Sequence, residues 1–245
     1  MTFRNDSLTL CDVGPVKRID ILPDDVLIEI FDFYMEIRSL LGNKTRVEVW
    51  QSLVHVCRRW RRLVLGSPRR LDLQLYCTPE TPARDTLDVW PALPLIVEGN
   101  MASSSGTYNI IAALGQSIHV CKVMLWDLSG WQLEDVSAAM QVPFPELTHL
   151  RLYSNGETGE TLPVIPDSFL GGYAPRLQDF SLNGIPIPGL PKILLSATHL
   201  GYLWLLDIPH SGYFSPKEIV TLLSVLSSLT MLHLEFQSPQ SRPDR

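Results

Sequence analysis

The chain has 245 residues, an apolar fraction of 45% and a net charge of -6. Its length predicts one large domain or a small domain plus a medium one, and its apolar fraction is typical of a globular protein, which argues against bulk disorder. Residues 15–78 hold 11 Lys and Arg against 8 Asp and Glu, whereas the remainder holds 9 against 18, a balance that argues against general nucleic-acid binding. No apolar run approaches the roughly 18 residues that a bilayer span needs, so we expect no membrane segment.

Residues 1–14 are polar and without periodicity, and we expect a disordered tail that is not a secretion signal. The four cysteines, Cys11, Cys57, Cys77 and Cys121, are widely spaced and form no C-x-x-C pair. This pattern predicts reduced thiols in a cytoplasmic and/or nuclear protein.

Two amphipathic segments follow between residues 22 and 64. Pro23, Asp24 and Asp25 suit the first turn of a helix, and apolar residues then recur at helical spacing as far as Tyr34. The second segment has two stripes. The first contains Trp50, Leu53, Cys57, Trp60 and Val64, and the second contains Val49, Val56 and Leu63. One neighbouring helix cannot cover so wide a surface, so we expect an apolar face that the rest of the chain or a partner covers.

Leu22-Pro23, the aliphatic helix after it and the run from Val56 to Leu63 resemble the F-box motif, and the chain is similar to fungal F-box proteins. In that family a three-helix motif docks on the Skp-family adaptor of an SCF-type (cullin-RING) ubiquitin ligase. The resemblance implies an F-box domain at residues 15–66, although residues 35–48 are longer than the usual link between its halves. It also implies the adaptor-binding residues, which are Leu22, Pro23, Val26, Ile30, Leu53, Val56 and Trp60.

Beyond Gly66-Ser67-Pro68, which ends the last of these helices, alternating leucines predict a strand from Leu71 to Leu75, then a turn at 78–84 and a strand at 93–97. An L-x-x-L-x-L frame then recurs five times. The copies begin at Val120, Leu147, Leu177, Leu200 and Leu229. Helix-like stretches lie between the copies at residues 108–116, 132–140, 192–197 and 216–226.

This frame resembles the core of leucine-rich repeats, which implies an α/β solenoid with parallel strands at residues 67–236; an ordinary α/β layer fold is the alternative. The framing residues are expected inside and those between them on the concave face. Aromatic residues and Arg there fit a protein-contact surface. The expected target-binding residues are Trp126, Arg151, Tyr153, Tyr202, Trp204 and His233. Residues 237–245 are Pro-rich and predicted to be disordered, without a visible terminal cap, so either the last apolar edge is open or the chain is a shortened version.

Nothing in the sequence indicates catalysis, a cofactor or a metal. The six His residues lack metal-ligand spacing, and no phosphate-binding or nucleophile motif occurs. The run Arg58-Arg59-Trp60-Arg61-Arg62 is read as a solvated helix face rather than a nucleic-acid patch.

The sequence therefore predicts a non-enzymatic substrate receptor that binds a Skp-family adaptor through residues 19–65 and an unknown target protein through the repeats. The alternative is a leucine-rich-repeat scaffold with no ubiquitin role, in which the helical segment is only the N-terminal cap of the solenoid. Full burial of Leu22, Val26 and Val56 within the chain would favour that alternative.

Overall fold

The structure of the protein is a computed structural model that describes residues 21–40, 46–80, 83–156, 163–187, 192–213 and 215–237. The predicted tail at residues 1–14 lies outside this range, as does the predicted tail at 237–245 apart from Gln237. Two compact units divide the chain, Met1–Leu71 and Asp72–Arg245. The described residues form an α/β fold with a seven-stranded, all-parallel sheet. No helix within the described ranges combines the length and apolar character that crossing a bilayer requires.

The described part of the first unit contains three helices, α1 (Asp24–Leu40), α2 (Arg46–Val54) and α3 (Arg58–Gly66). Pro23 precedes α1 and its carbonyl accepts the first helical hydrogen bond, from Leu27 N at 3.1 Å, as the sequence predicts for a proline at a helix start. Apolar side chains from all three helices are buried and form the core of this unit. They include Leu27, Phe31, Met35, Trp50, Val54 and Val64.

The helical spacing that runs from Trp50 to Val64 is divided between two helices, α2 and α3. Cys57 has extended backbone (φ -158°, ψ 169°), which no α-helix accommodates. Arg61 Nε donates to the Val54 carbonyl at 3.1 Å and so satisfies one of the acceptors that the end of α2 leaves open. Cys57 is exposed at this break, although the spacing places it on the apolar stripe.

The second unit adds its strands to the sheet in chain order. They are β1 (Leu75–Cys77), β2 (Leu95–Asn100), β3 (Val120–Leu128), β4 (His149–Ser154), β5 (Asp179–Asn183), β6 (Tyr202–Ile208) and β7 (Met231–Phe236). The helices are α4 (Ala83–Val89), α5 (Thr107–Leu114), α6 (Gly130–Ala139), α7 (Lys192–Ser196) and α8 (Pro216–Val225). The last four lie where the sequence predicts helices.

The predicted apolar frame is in register across the sheet. Val123 is paired with Leu150, Leu150 with Phe180, Phe180 with Leu203 and Leu203 with Leu232. The same alignment holds for the following frame position, from Leu125 to Leu234. Because side chains alternate between the faces of a sheet, the frame forms one continuous apolar face, and its members on β3 to β6 are fully buried.

The start of the second unit differs from the sequence prediction. The strand begins at Leu75 rather than Leu71, because Asp72 has a positive φ of 47° and interrupts the extended run. Leu71 and Leu73 are nevertheless buried, as their alternation predicts. Helix α4 begins at Ala83, where the sequence predicts a turn up to residue 84.

A further repeated feature lies two residues after the frame and was not predicted. Asp127 (φ 58°), Gly184 (φ 70°) and Asp207 (φ 49°) occupy the same position relative to it, and the sheet register shifts beside two of them, on β3 and β6. Left-handed backbone is most accessible to Gly and then to Asn and Asp. The local geometry of the repeat therefore explains the residue types found there.

Candidate protein-binding surfaces

The first unit carries an apolar groove of about 360 Å³, which we call the helical groove. It is lined by Ile30, Phe31, Tyr34, Ser52, Leu53, Val56 and Trp60. Phe31 is buried beneath it, with its ring centroid 4.6 Å from that of Trp60 at an interplanar angle of 56°. This geometry is that of a favourable tilted aromatic pair, so the aromatic wall of the groove is held in place by packing within the unit.

The predicted adaptor-binding residues fall into two groups. Val26, Ile30 and Val56 are 42%, 41% and 59% exposed, and Pro23 is also exposed. Leu22 and Trp60 are half-buried, whereas Leu53 is buried and forms part of the groove floor. The full burial of Leu22, Val26 and Val56 that would favour a purely intramolecular cap is not observed.

Four of the seven predicted residues line the helical groove together, namely Ile30, Leu53, Val56 and Trp60. Sequence reasoning left Phe31, Tyr34 and Ser52 out of the site. The i, i+4 spacing of Ile30 and Tyr34 was a usable signal, because side chains so spaced lie on one face of a helix. Tyr34 is 41% exposed on that face.

Arg59 fixes the start of α1 against α3. Its guanidinium donates to Asp24 Oδ1 through Nε at 3.0 Å and through Nη2 at 2.6 Å, and Nη2 also donates to the Leu22 carbonyl at 2.5 Å. Together with the Arg61 contact at the end of α2, this assigns two arginines of the basic run to contacts within the unit. The run is therefore only partly the solvated face that the sequence predicts.

In the second unit, alternate strand residues form the sheet face opposite the buried frame. We call this the polar sheet face, and it is defined by Lys122, His149, Arg151, Tyr153, Asp179, Ser181, Tyr202, Trp204 and His233. Three of the predicted target-binding residues, Arg151, Tyr153 and Trp204, line one pocket of about 200 Å³ together with Asp179 and Ser181. Trp204 also stacks on His233, with centroids 5.7 Å apart.

The remaining predicted target-binding residues lie outside this pocket. Tyr202 is exposed on β6, and Trp126 is half-buried on β3, where it pairs with Asn100 of β2. Asp179 and Ser181, which the sequence places on the same outward face, are buried rather than exposed, because larger side chains on β4 engage both of them.

Asp179 and Arg151 form the central contact of this pocket. Arg151 Nε donates to Asp179 Oδ1 at 3.1 Å and Nη2 to Oδ2 at 2.5 Å, a two-point arrangement that fixes both groups. The hydrogen bond to Asp179 raises the pKa of the Arg151 guanidinium, so it stays charged. Beside it the Ser181 and Tyr153 hydroxyls are 3.2 Å apart, and the pocket presents a fixed cation, a phenol and an indole to a ligand.

His149 lies on the same face and responds differently to its surroundings. Burial, with a further contribution from the neighbouring Lys122 charge, lowers the pKa of its imidazole. Its Nδ1 lies 2.8 Å from Thr148 Oγ1. The ring is therefore neutral at physiological pH and adds hydrogen-bonding groups, but no charge, to the polar sheet face.

A second apolar depression, of about 550 Å³, lies between α5 and α6 and was missed by sequence reasoning. Its walls include Tyr108, Ile111, Trp131 and Asp135. Trp131 and Tyr108 are exposed there. The helical repeat of α6 directs Leu133 and Val136 inward, and Trp131, two residues before Leu133, faces outward on that repeat.

Within the residues that the structure describes, no group of three or more His, Cys, Asp or Glu side chains is arranged to hold a metal ion. No protein family matches the chain, and no curated protein or solved structure is detectably similar to it. The assignment of function therefore depends on the surfaces themselves.

Proposed function

We propose that the protein is a non-catalytic substrate receptor of an SCF-type ubiquitin ligase. In this proposal the first unit is an F-box domain whose helical groove binds a Skp-family adaptor. The second unit is a leucine-rich-repeat-like solenoid whose polar sheet face binds a target protein. The receptor then acts by holding the target close to the ligase.

The observation that carries the proposal is the exposed apolar helical groove. Ile30, Tyr34 and Val56 leave large parts of their side chains in water although buried side chains of the same unit form a core. Burial of apolar surface contributes roughly 25 cal/mol per Å², so a unit of this size loses stabilisation by leaving such a groove open. An adaptor that covers the groove would recover that free energy at the interface.

The second unit supports the target-binding half of the proposal. Its strands follow chain order, all parallel, with the frame residues in register, as expected when repeats stack and each contacts only its neighbours. The face opposite the core then collects one set of side chains from every repeat. On this chain that set includes Arg151, Tyr153 and Trp204, which are residue types enriched at protein interfaces.

The adaptor assignment can be tested without disturbing the fold, because Val56 is 59% exposed. We expect Val56→Asp to unfold at the temperature of the wild type but to bind a purified Skp-family adaptor at least about 30-fold more weakly, as a charge in the centre of an apolar interface does. Val89→Asp is the matched control, since Val89 is 69% exposed on α4 in the other unit. It should bind the adaptor as the wild type does.

Failure of the wild-type protein to bind the adaptor, or equal binding by wild type and Val56→Asp, would refute the ubiquitin-ligase role. Affinity purification that recovers a target protein but no adaptor would instead favour the scaffold without a ubiquitin role. The same purification would identify the target.

A further inference from the structure

The pocket of about 200 Å³ on the polar sheet face brings several hydrogen-bond donors together. Its walls are formed by Arg151, Tyr153, Asp179, Ser181 and Trp204. Asp179 and Ser181 are buried, and both are already engaged, because Asp179 accepts from Arg151 and Ser181 donates to Tyr153. The groups that remain for a ligand therefore belong to the other three side chains.

The guanidinium of Arg151 keeps one edge that the ion pair does not use. Its Nε and Nη2 atoms donate to the two carboxylate oxygens of Asp179 at 3.1 and 2.5 Å, whereas Nη1 donates to no residue in the described part of the chain. Arginine carries five N–H donors in a planar fork, so the edge formed by Nη1 and Nη2 still offers two parallel N–H groups. The Arg151 side chain is 42% exposed and that of Asp179 only 8%, so a ligand meets the guanidinium rather than the carboxylate.

Tyr153 and Trp204, both half-buried, add two further donors. The Ser181 hydroxyl donates to the Tyr153 oxygen at 3.2 Å, so the Tyr153 O–H proton is still available, and it finds no acceptor among the described residues. The Trp204 ring stacks on His233, and its indole N–H likewise donates to no residue within the described ranges. Because polar groups that are withdrawn from water are normally hydrogen-bonded, this cluster of donors indicates a ligand that presents acceptor atoms.

The charges around the pocket limit the ligand further. Asp179 already balances Arg151, and the chain outside residues 15–78 holds 9 Lys and Arg against 18 Asp and Glu, so a dianionic group or an acidic run would be repelled. Lys122, His149 and Asp179 form one row across β3, β4 and β5. Lys122 forms no ion pair with any described residue, and its charge can balance one added negative charge. The surroundings therefore favour a single monoanionic group.

We propose that this pocket binds one carboxylate side chain, Asp or Glu, of the target protein. The two carboxylate oxygens accept from the Nη1–Nη2 edge of Arg151, and the Tyr153 hydroxyl and the Trp204 indole supply further donors. Asp179 is a positioning residue, because its two-point contact orients the guanidinium before the ligand arrives and so reduces the entropy lost on binding. This inference rests on the target-binding half of the proposed function.

Titration of the full, isotope-labelled chain with sodium acetate tests the pocket, with acetamide as the neutral counterpart and inorganic phosphate as the dianionic one. We expect acetate to shift the NMR signals of the Arg151 Nε–H and the Trp204 indole N–H saturably, with a Kd on the order of millimolar for so small a ligand. Acetamide should produce no saturable shift, and phosphate at the same ionic strength should bind more weakly than acetate. Tighter binding of phosphate, equal binding of acetamide, or the absence of a saturable shift with acetate would each overturn the proposal.

Three variants identify the groups that hold the carboxylate. R151Q/D179N replaces the ion pair by two amides, which leaves no buried carboxylate without a partner, and should weaken acetate binding at least about tenfold. Tyr153→Phe keeps the ion pair and removes only the hydroxyl, and should raise the Kd roughly threefold. Arg176→Gln is the matched control, because Arg176 pairs with Glu146 at an exposed site, and it should leave the Kd unchanged. Wild-type Kd values in both R151Q/D179N and Tyr153→Phe would place the acetate elsewhere and contradict the proposal.

Affinity purification with R151Q/D179N separates this inference from the proposed function. We expect the variant to recover the adaptor as the wild type does but to recover less of the target protein. Full recovery of the target by this variant would show that the pocket does not hold the target, even if the ubiquitin-ligase role is correct. Failure of the wild type to bind the adaptor would refute that role, whereas the acetate titration reports only on the second unit.

Discussion

Replacing Gln132 tests how buried hydrogen bonds stabilise the second unit, because its side-chain amide joins three segments of chain. Nε2 donates to the Met101 carbonyl at 2.8 Å and to Thr107 Oγ1 at 3.1 Å. Oε1 accepts from Ser129 N at 3.0 Å and from Ser129 Oγ at 2.8 Å. Met101 follows β2, Thr107 begins α5 and Ser129 precedes α6, so one side chain, only 2% exposed, holds the ends of all three together.

The cost of Gln132→Leu follows from the groups that it leaves behind. The Met101 carbonyl and the Thr107 hydroxyl belong to buried residues, and each buried polar group without a partner costs about 1–3 kcal/mol. Leucine offsets part of this loss through its own burial, which contributes up to about 2 kcal/mol. We therefore expect a net loss of about 2–3 kcal/mol in the free energy of unfolding and a fall of roughly 5–10 °C in Tm.

Urea unfolding followed by circular dichroism measures this change, and Gln116→Leu is its control. Gln116 is exposed at the end of α5, so the same substitution there should change stability by less than about 0.5 kcal/mol. If Gln132→Leu falls within that same range, the amide network does not stabilise the unit and the reasoning from buried polar groups fails.

Two further predictions concern the backbone and a buried thiol. At Asp207, whose φ is 49°, Asp207→Val should lose about 1–2 kcal/mol relative to Asp207→Gly; equal melting temperatures of the two variants would contradict the strain. Burial raises the pKa of the Cys77 thiol to about 11, so as pH rises this thiol ionises in the unfolded chain before it ionises in the folded protein. The free energy of unfolding is therefore unaffected below the ordinary thiol pKa, and it declines as pH rises from there toward the folded-state pKa. Cys77→Ala should reduce this decline by about 1–2 kcal/mol, which urea titrations at neutral and alkaline pH would measure, and an unchanged slope would exclude the thiol as its source.

The frame of the second unit was predictable because it depends on local alternation alone. The two-residue alternation predicts which face of the sheet carries Leu150, Leu152, Leu203 and Leu205, and the shared frame predicts that they align between strands. The parallel sheet confirms both predictions. Helices α5 to α8 lie within a few residues of their predicted bounds. The F-box and leucine-rich-repeat assignments remain proposals, since these features are compatible with them but specify neither.

The break between α2 and α3 could not be read from spacing. Leu53, Cys57, Trp60 and Val64 continue the helical step across it, although the backbone at Cys57 is extended. At the break Arg61 donates a hydrogen bond to the carbonyl of Val54, seven residues earlier. The spacing of apolar residues cannot predict a hydrogen bond of this kind. Helix α4 was missed for a related reason, since residues 83–89 offer only Ala83, Leu87 and Val89 as apolar positions.

The pocket on the polar sheet face was also predictable from the sequence only in part. Its outward positions were predictable, but the pairing of Arg151 with Asp179 depends on the register of strands 28 residues apart. His149, not Arg151, is the register partner of Asp179, and the ion pair is diagonal. A diagonal contact brings a long side chain over a short one on the next strand, which is why Asp179 is buried although its position faces outward.

An apolar pattern specifies which way a side chain faces, but the neighbour decides whether it is covered. Val56 keeps the step of seven with Val49 and Leu63, which are buried, and Leu232 keeps the frame of Leu203, yet both remain substantially exposed. Each therefore has the orientation of a core residue without the burial that would stabilise it. Covering such residues would release hydrophobic free energy, and on this chain Val56 belongs to the helical groove and Leu232 to strand β7.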